Sequence, residues 1–149
     1  YWRDPDATAS AIVVHDHSGS WFHTGDLARQ DDEGYFYVAG RAKDMIISGG
    51  ENVYPAEIEA LLHTHPAVAA AAVIGLSDPK WGEKVIAAIV KLPNAQTTEA
   101  EIIAFCHNKL ARYKIPRRIF FMEEFPLSGS GKIVKRQVKQ QIEKSLSQS

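Results

Sequence analysis

Gly40-Arg41-Ala42-Lys43-Asp44-Met45-Ile46-Ile47-Ser48-Gly49-Gly50-Glu51-Asn52-Val53-Tyr54-Pro55-Ala56-Glu57-Ile58-Glu59 is the stretch on which the fold turns. Its opening residues, 40–44, are charged and poor in apolar side chains, as a link between two folding units would be. Met45-Ile46-Ile47-Ser48 then reads as a short strand and Gly49-Gly50 as a loop, and Pro55 stands where the first residue of a helix tolerates a missing N–H. Ile58, Leu61 and Leu62 supply an apolar stripe at helical spacing. His65-Pro66 predicts the end of that helix, because proline removes a donor and restricts the residue before it.

Toward the C-terminus, two strands are predicted over residues 68–74 and 84–91, separated by the loop Ser77-Asp78-Pro79-Lys80-Trp81-Gly82. Thr98 with Glu101 three residues later matches a capping box, and Ile102, Ile103, Cys106 and Leu110 mark one face of a helix expected to run to about Arg112. Residues 118–122 are β-prone, 125–131 form a loop, and Val134, Val138 and Ile142 lie on one stripe of a final helix. The order β-α-β-β-α-β-α predicts a small α+β domain with helices packed on a sheet. Toward the N-terminus, Leu27-Ala28-Arg29-Gln30 and Tyr35-Phe36-Tyr37-Val38 flank Asp31-Asp32-Glu33-Gly34, which reads as a β-hairpin too short to close a core alone.

With 149 residues, 45% hydrophobic and 23% charged, the composition is that of a globular chain rather than a disordered or fibrous one. Its apolar runs fall well short of the roughly 20 residues a membrane helix needs, so no transmembrane segment is expected. The first residues carry neither the basic start nor the apolar run of a secretory signal, and the single Cys106 cannot form an internal disulfide; a cytoplasmic setting is the expectation. Cys106 sits among apolar residues at helical spacing, as a buried, inert thiol would. Net charge is -1, but residues 1–60 hold eleven acids and four bases, whereas residues 61–149 hold seven acids and thirteen bases. That asymmetry suits a polyphosphate ligand or a solvated helix surface.

Three segments could carry chemistry. In Ser128-Gly129-Ser130-Gly131-Lys132 the glycines let backbone approach a ligand and the lysine adds a cation, although the Walker A spacing is not met and a flexible surface loop has the same composition. In Thr24-Gly25-Asp26 a carboxylate stands after a glycine and before a strand, suited to a sugar diol or to capping its own turn. The third is the 40–59 stretch. The pairs His15/His17 and His63/His65 lack an evident third ligand, so no metal site is predicted.

Together the three segments resemble the C-terminal signature motifs of the adenylate-forming superfamily, which includes acyl-CoA and aryl-CoA synthetases, luciferase-like enzymes and peptide-synthetase adenylation domains. The wording Gly49-Gly50-Glu51-Asn52-Val53-Tyr54-Pro55 is more similar to a fatty-acyl- or aryl-CoA ligase. The resemblance implies a mobile C-terminal α+β lid with a short mixed sheet over residues 43–149, preceded by a β-rich end of a large AMP-binding domain over 1–42. It implies that Lys132 is the adenylation lysine, that Asp26 and Arg41 contact ATP or AMP, and that Lys43 is the hinge. Gly49, Gly50 and Glu51 would enter the pantetheine channel. The basic stretch Lys109, Arg112, Lys114, Arg117 and Arg118 resembles a surface for the CoA nucleotide, with Tyr113 stacking on adenine and Arg117 meeting a phosphate; a solvated helix end is the alternative.

The implied reaction joins a carboxylic acid to CoA at the expense of ATP, with Mg2+ on the phosphates. The carboxylate pocket and the phosphate-binding loop are expected upstream, so this portion alone is expected to be inactive. No nucleic-acid partner is expected. A stand-alone nucleotide-binding, CoA-binding or regulatory module of the same fold remains the competing reading.

Overall fold

The computed structural model describes residues 1–15 and 19–148, and the chain divides into two compact units, Tyr1–Lys43 and Asp44–Ser149. The first unit begins with α1 (Pro5–Ala11), capped where Asp4 accepts a 2.9 Å bond from the Ala7 N–H. β1 (Ile12–His15) pairs antiparallel with β2 (Gly19–Phe22), and β3 (Asp26–Gln30) with β4 (Phe36–Arg41). The Asp31 carboxylate closes the second hairpin, accepting from the Glu33 and Tyr35 N–H groups. The expected hairpin is present as β3-β4, and a helix and a further hairpin that the sequence reading did not include precede it. None of the described residues in this unit is buried, and Trp2, Phe36 and Val38 are 87%, 72% and 73% exposed, so the described residues form no core of their own.

After a 3-10 turn, Ala42–Asp44, in which the first unit ends, the second unit consists of β5 (Ile46–Ser48), β6 (Glu51–Val53), α2 (Pro55–His63), β7 (Val68–Asp78), β8 (Gly82–Lys91), α3 (Glu99–Cys106), β9 (Arg118–Met122) and α4 (Lys135–Ser147). β7 pairs antiparallel along one side of β8; the other side of β8 takes β9 in parallel and meets β5 at Ser48 and Gly82, giving a five-stranded mixed sheet. Alternate residues of β7 and β8 serve two cores. Val73, Val85, Ala87 and Ile89 pack with Ile58 and Leu62 of α2 and Ile102 and Cys106 of α3. Ala72, Ile74, Leu76, Ile86 and Ala88 pack with Val138 and Ile142 of α4. A sheet covered on both faces reads as a continuous apolar run rather than an alternating one, which is the pattern of both strands.

Three sequence expectations change. β6 was not foreseen: Gly49 and Gly50 both have positive φ, +62° and +85°, and form the two-residue turn of a β5-β6 hairpin. β7 runs to Asp78, beyond the expected residue 74. α3 carries its full capping box but stops at Cys106, because His107 turns extended and Asn108 adopts φ +64°; Arg112–Lys114 form a separate 3-10 turn, so the basic stretch is not a helix end. No described helix is long and apolar enough to cross a membrane.

Candidate functional site

The β5-β6 turn borders an open pocket of about 480 Å³, lined by Ser48, Gly49, Glu51, Trp81, Arg112, Tyr113 and Arg117. Four of the residues the sequence offered from separate segments, Gly49, Glu51, Tyr113 and Arg117, thus share one cavity, with Gly50 in the same turn. The construction is local. The Gly49 N–H donates to the Trp81 carbonyl at 2.8 Å, and a Cβ added to Gly49 would meet the Trp81 ring at 2.8 Å, so only glycine fits against this wall. Asp78 holds the loop of Trp81 by accepting from the Lys80 and Trp81 N–H groups at 2.9 and 3.0 Å. Those bonds, the Lys80 one foremost, outweigh desolvation and with the charges of Lys84 and Arg117 keep the Asp78 carboxyl below its usual range. Glu83 accepts from the Ile47 N–H at 3.0 Å and fixes β5 to β8.

The basic stretch separates into distinct jobs. Lys114 pairs with Glu57 of α2 at 2.7 Å, Arg118 with Glu99 of α3 at 3.0 Å, and the Lys109 ammonium lies 3.3 Å from the centre of the Phe105 ring. Arg112 and Arg117 remain for the pocket, with the Arg117 guanidinium 5.5 Å from the Trp81 ring centre.

Lys132 follows a tight chain reversal. The Ser128 N–H donates to the Lys132 carbonyl at 2.8 Å, the Lys132 N–H to the Ser128 hydroxyl at 3.2 Å, and Leu127 bridges Ile133. The side chain is exposed, and among the described residues it has no ion-pair partner. In the first unit, the register of β3 and β4 sets Asp26 opposite Arg41, with Oδ1 and Nε 3.4 Å apart and both side chains largely open to solvent. The Thr24 hydroxyl accepts from the Asp26 N–H, ordering that motif from within. Lys43 is exposed in the 3-10 turn that ends the unit.

Residues 57–132, from the first turn of α2 to Lys132, match the AMP-binding enzyme C-terminal domain. The chain belongs to that family. Among AMP-binding enzymes it is 47% identical over 143 residues to a 2-succinylbenzoate–CoA ligase of Bacillus cereus, covering 96% of this chain and 28% of the relative. It is 48% identical over 141 residues to the long-chain-fatty-acid–CoA ligase FadD13 of Mycobacterium tuberculosis, covering 95% and 27%. Of solved structures, ATP-bound MatB from Rhodopseudomonas palustris superposes with a TM-score of 0.82 at 36% identity, covering 95% of this chain and 27% of that one. The chain therefore spans little more than a quarter of the length of these AMP-binding relatives.

Trp81 and Glu83 escaped the sequence reading. A tryptophan in an Asp-Pro-Lys-Trp-Gly loop reads as turn furniture, and only the pairing of Ser48 with Gly82 makes it a pocket wall. Of the histidines, His65 is structural: its Nδ1 accepts from the Ala67 N–H at 3.1 Å and its ring stands edge-on to Phe105. His17 lies outside the described residues, which contain no group of three or more His, Cys, Asp or Glu side chains placed to hold a metal ion. Burial pushes the Cys106 thiol above its usual pKa against the opposing charge of Lys109, as befits a packing residue.

Proposed function

We propose that this chain is the C-terminal portion of an ATP-dependent acyl-CoA synthetase, with residues 1–42 closing a large upstream AMP-binding domain and 43–149 forming the mobile lid. Family membership and the CoA-ligase relatives support the reaction class. The absence of buried residues among those described in the first unit supports its completion by further chain. In the first half-reaction a carboxylate oxygen attacks the α-phosphorus of ATP and pyrophosphate leaves. In the second, the CoA sulfur attacks the acyl carbonyl and AMP leaves. Lys132 would contact the carboxylate and α-phosphate as negative charge builds between them. Asp26 would accept from the ribose hydroxyls of the nucleotide, with Arg41 beside it on β4. The lid would then turn about Lys43, withdraw Lys132 and bring Gly49, Gly50 and Glu51 to the pantetheine channel.

The observation that carries the reading is the shared pocket of Gly49, Glu51, Trp81, Tyr113 and Arg117: a glycine turn for a thin pantetheine arm lies beside aromatic and guanidinium groups suited to an adenine and its phosphates. The acid is a carboxylic acid of fatty or aromatic type, handled in the cytoplasm, and its pocket belongs to the upstream domain with the phosphate loop and Mg2+. On this reading the portion alone is inactive. Lys132→Ala in the full-length enzyme is expected to slow adenylate formation about a hundredfold or more, read by ATP–pyrophosphate exchange, and to spare thioester formation from supplied acyl-adenylate. Equal loss in both half-reactions would remove the role.

A further inference from the structure

We propose that Glu59 is a positioning residue for adenylation, holding the Lys132 loop in place through Lys135; the inference rests on the adenylating role given to Lys132. Glu59 lies on α2, which packs on one face of the sheet through Ile58 and Leu62, both fully buried. Lys135 is the first residue of α4, which packs on the opposite face through Val138 and Ile142. Between them runs β7, whose outer side has no partner strand among the described residues. Glu59 Oε1 reaches this edge, accepts the Val73 N–H at 2.7 Å and lies 2.7 Å from Lys135 Nζ. One oxygen thus clips together both helix layers and the strand that separates them.

This pair is built differently from the others. Side-chain exposure is 24% for Lys135 and 19% for Glu59, and among the described ion pairs no other has both partners below a quarter exposed. A sheltered charge pair that also satisfies a backbone donor is geometrically stiff, whereas a surface pair is loose. The stiffness sits where Lys132 needs it. Lys132 has a long, exposed side chain beside a loop with Gly129 and Gly131, so its reach is defined by the stem that carries it. That stem consists of Ile133, which bridges Leu127 and packs in the α4 core, Val134, whose N–H donates to the Pro126 carbonyl, and Lys135. The pair with Glu59 is the stem's ionic anchor among the described residues. A misplacement of about 1 Å in a group that must touch both carboxylate and phosphate can cost on the order of a hundredfold in rate.

The test uses the full-length enzyme and both half-reactions. Lys135→Met removes the ammonium and keeps most of the stem's bulk; Glu59→Gln removes the charge and leaves an oxygen for the Val73 N–H; Lys135→Arg keeps the pair. The first two are expected to lower kcat for ATP–pyrophosphate exchange by about tenfold to a hundredfold, with KM for ATP and thioester formation from supplied acyl-adenylate unchanged, and Lys135→Arg to restore exchange. Lys132→Ala combined with Lys135→Met should be no slower than Lys132→Ala alone, since an anchor has nothing left to position. Unchanged exchange in Lys135→Met, or parallel losses in both half-reactions, would overturn the proposal. Lys132→Ala alone separates the two levels: if it spares exchange, the role of Lys132 fails, and if it abolishes exchange while Lys135→Met does not, only the anchor fails.

Discussion

Asp78 shows how a single side chain shapes the pocket without lining it. Its carboxylate accepts two backbone N–H groups and sets the loop that carries Trp81. Because its folded pKa lies below the ordinary 3.8, it contributes stability that is present above that value and lost as pH falls through the lower folded value. The urea unfolding midpoints of wild type and Asp78→Asn are therefore expected to differ at neutral pH and to converge as pH falls below 3.8. A gap independent of pH would assign the loop's order to other contacts. At this scale the sequence is legible where a motif is contiguous, as at the Thr98-Glu101 cap, and silent where a role depends on pairing across the chain. Glu59 acts on Val73 and Lys135, and Glu83 on Ile47; no local pattern announces such partners.

The β5-β6 hairpin is the element on which the pocket depends. Gly49→Ala would meet both a positive φ and the Trp81 ring, a strain of about 1 to 3 kcal/mol, met by displacing the ring or opening the turn. The expected result is slower thioester formation and a raised KM for CoA, with ATP–pyrophosphate exchange near wild type. Impaired exchange with normal thioester formation would detach this hairpin from CoA. In sequence Gly49-Gly50 reads as a loop, whereas two residues of positive φ between short extended runs make the turn of a hairpin. The helices were read more closely, because Pro55 and the capping box mark their starts. The end of α3 was overestimated since Leu110 continues the apolar spacing past the break at Asn108.

At the scale of the molecule, the α+β class and the order of the elements after residue 44 were readable, because apolar stripes and prolines recur at element length. The first unit is only partly readable: none of its described residues is buried, so its apolar side chains carry no core-facing pattern that would organise it. If Lys43 is the pivot, Lys43→Pro should slow thioester formation more than adenylation, since proline fixes φ at about -65° and stiffens the chain there. Normal rates in both halves would move the pivot elsewhere. β8 gives such a motion its character. Bonded by strands on both flanks and covered by helices on both faces, it makes the second unit a stiff body. Torque applied to two or three torsions at one end is then not dissipated in bending. About such a pivot the unit would work as a lever, small angular changes at the fulcrum becoming long, reproducible strokes at its far parts.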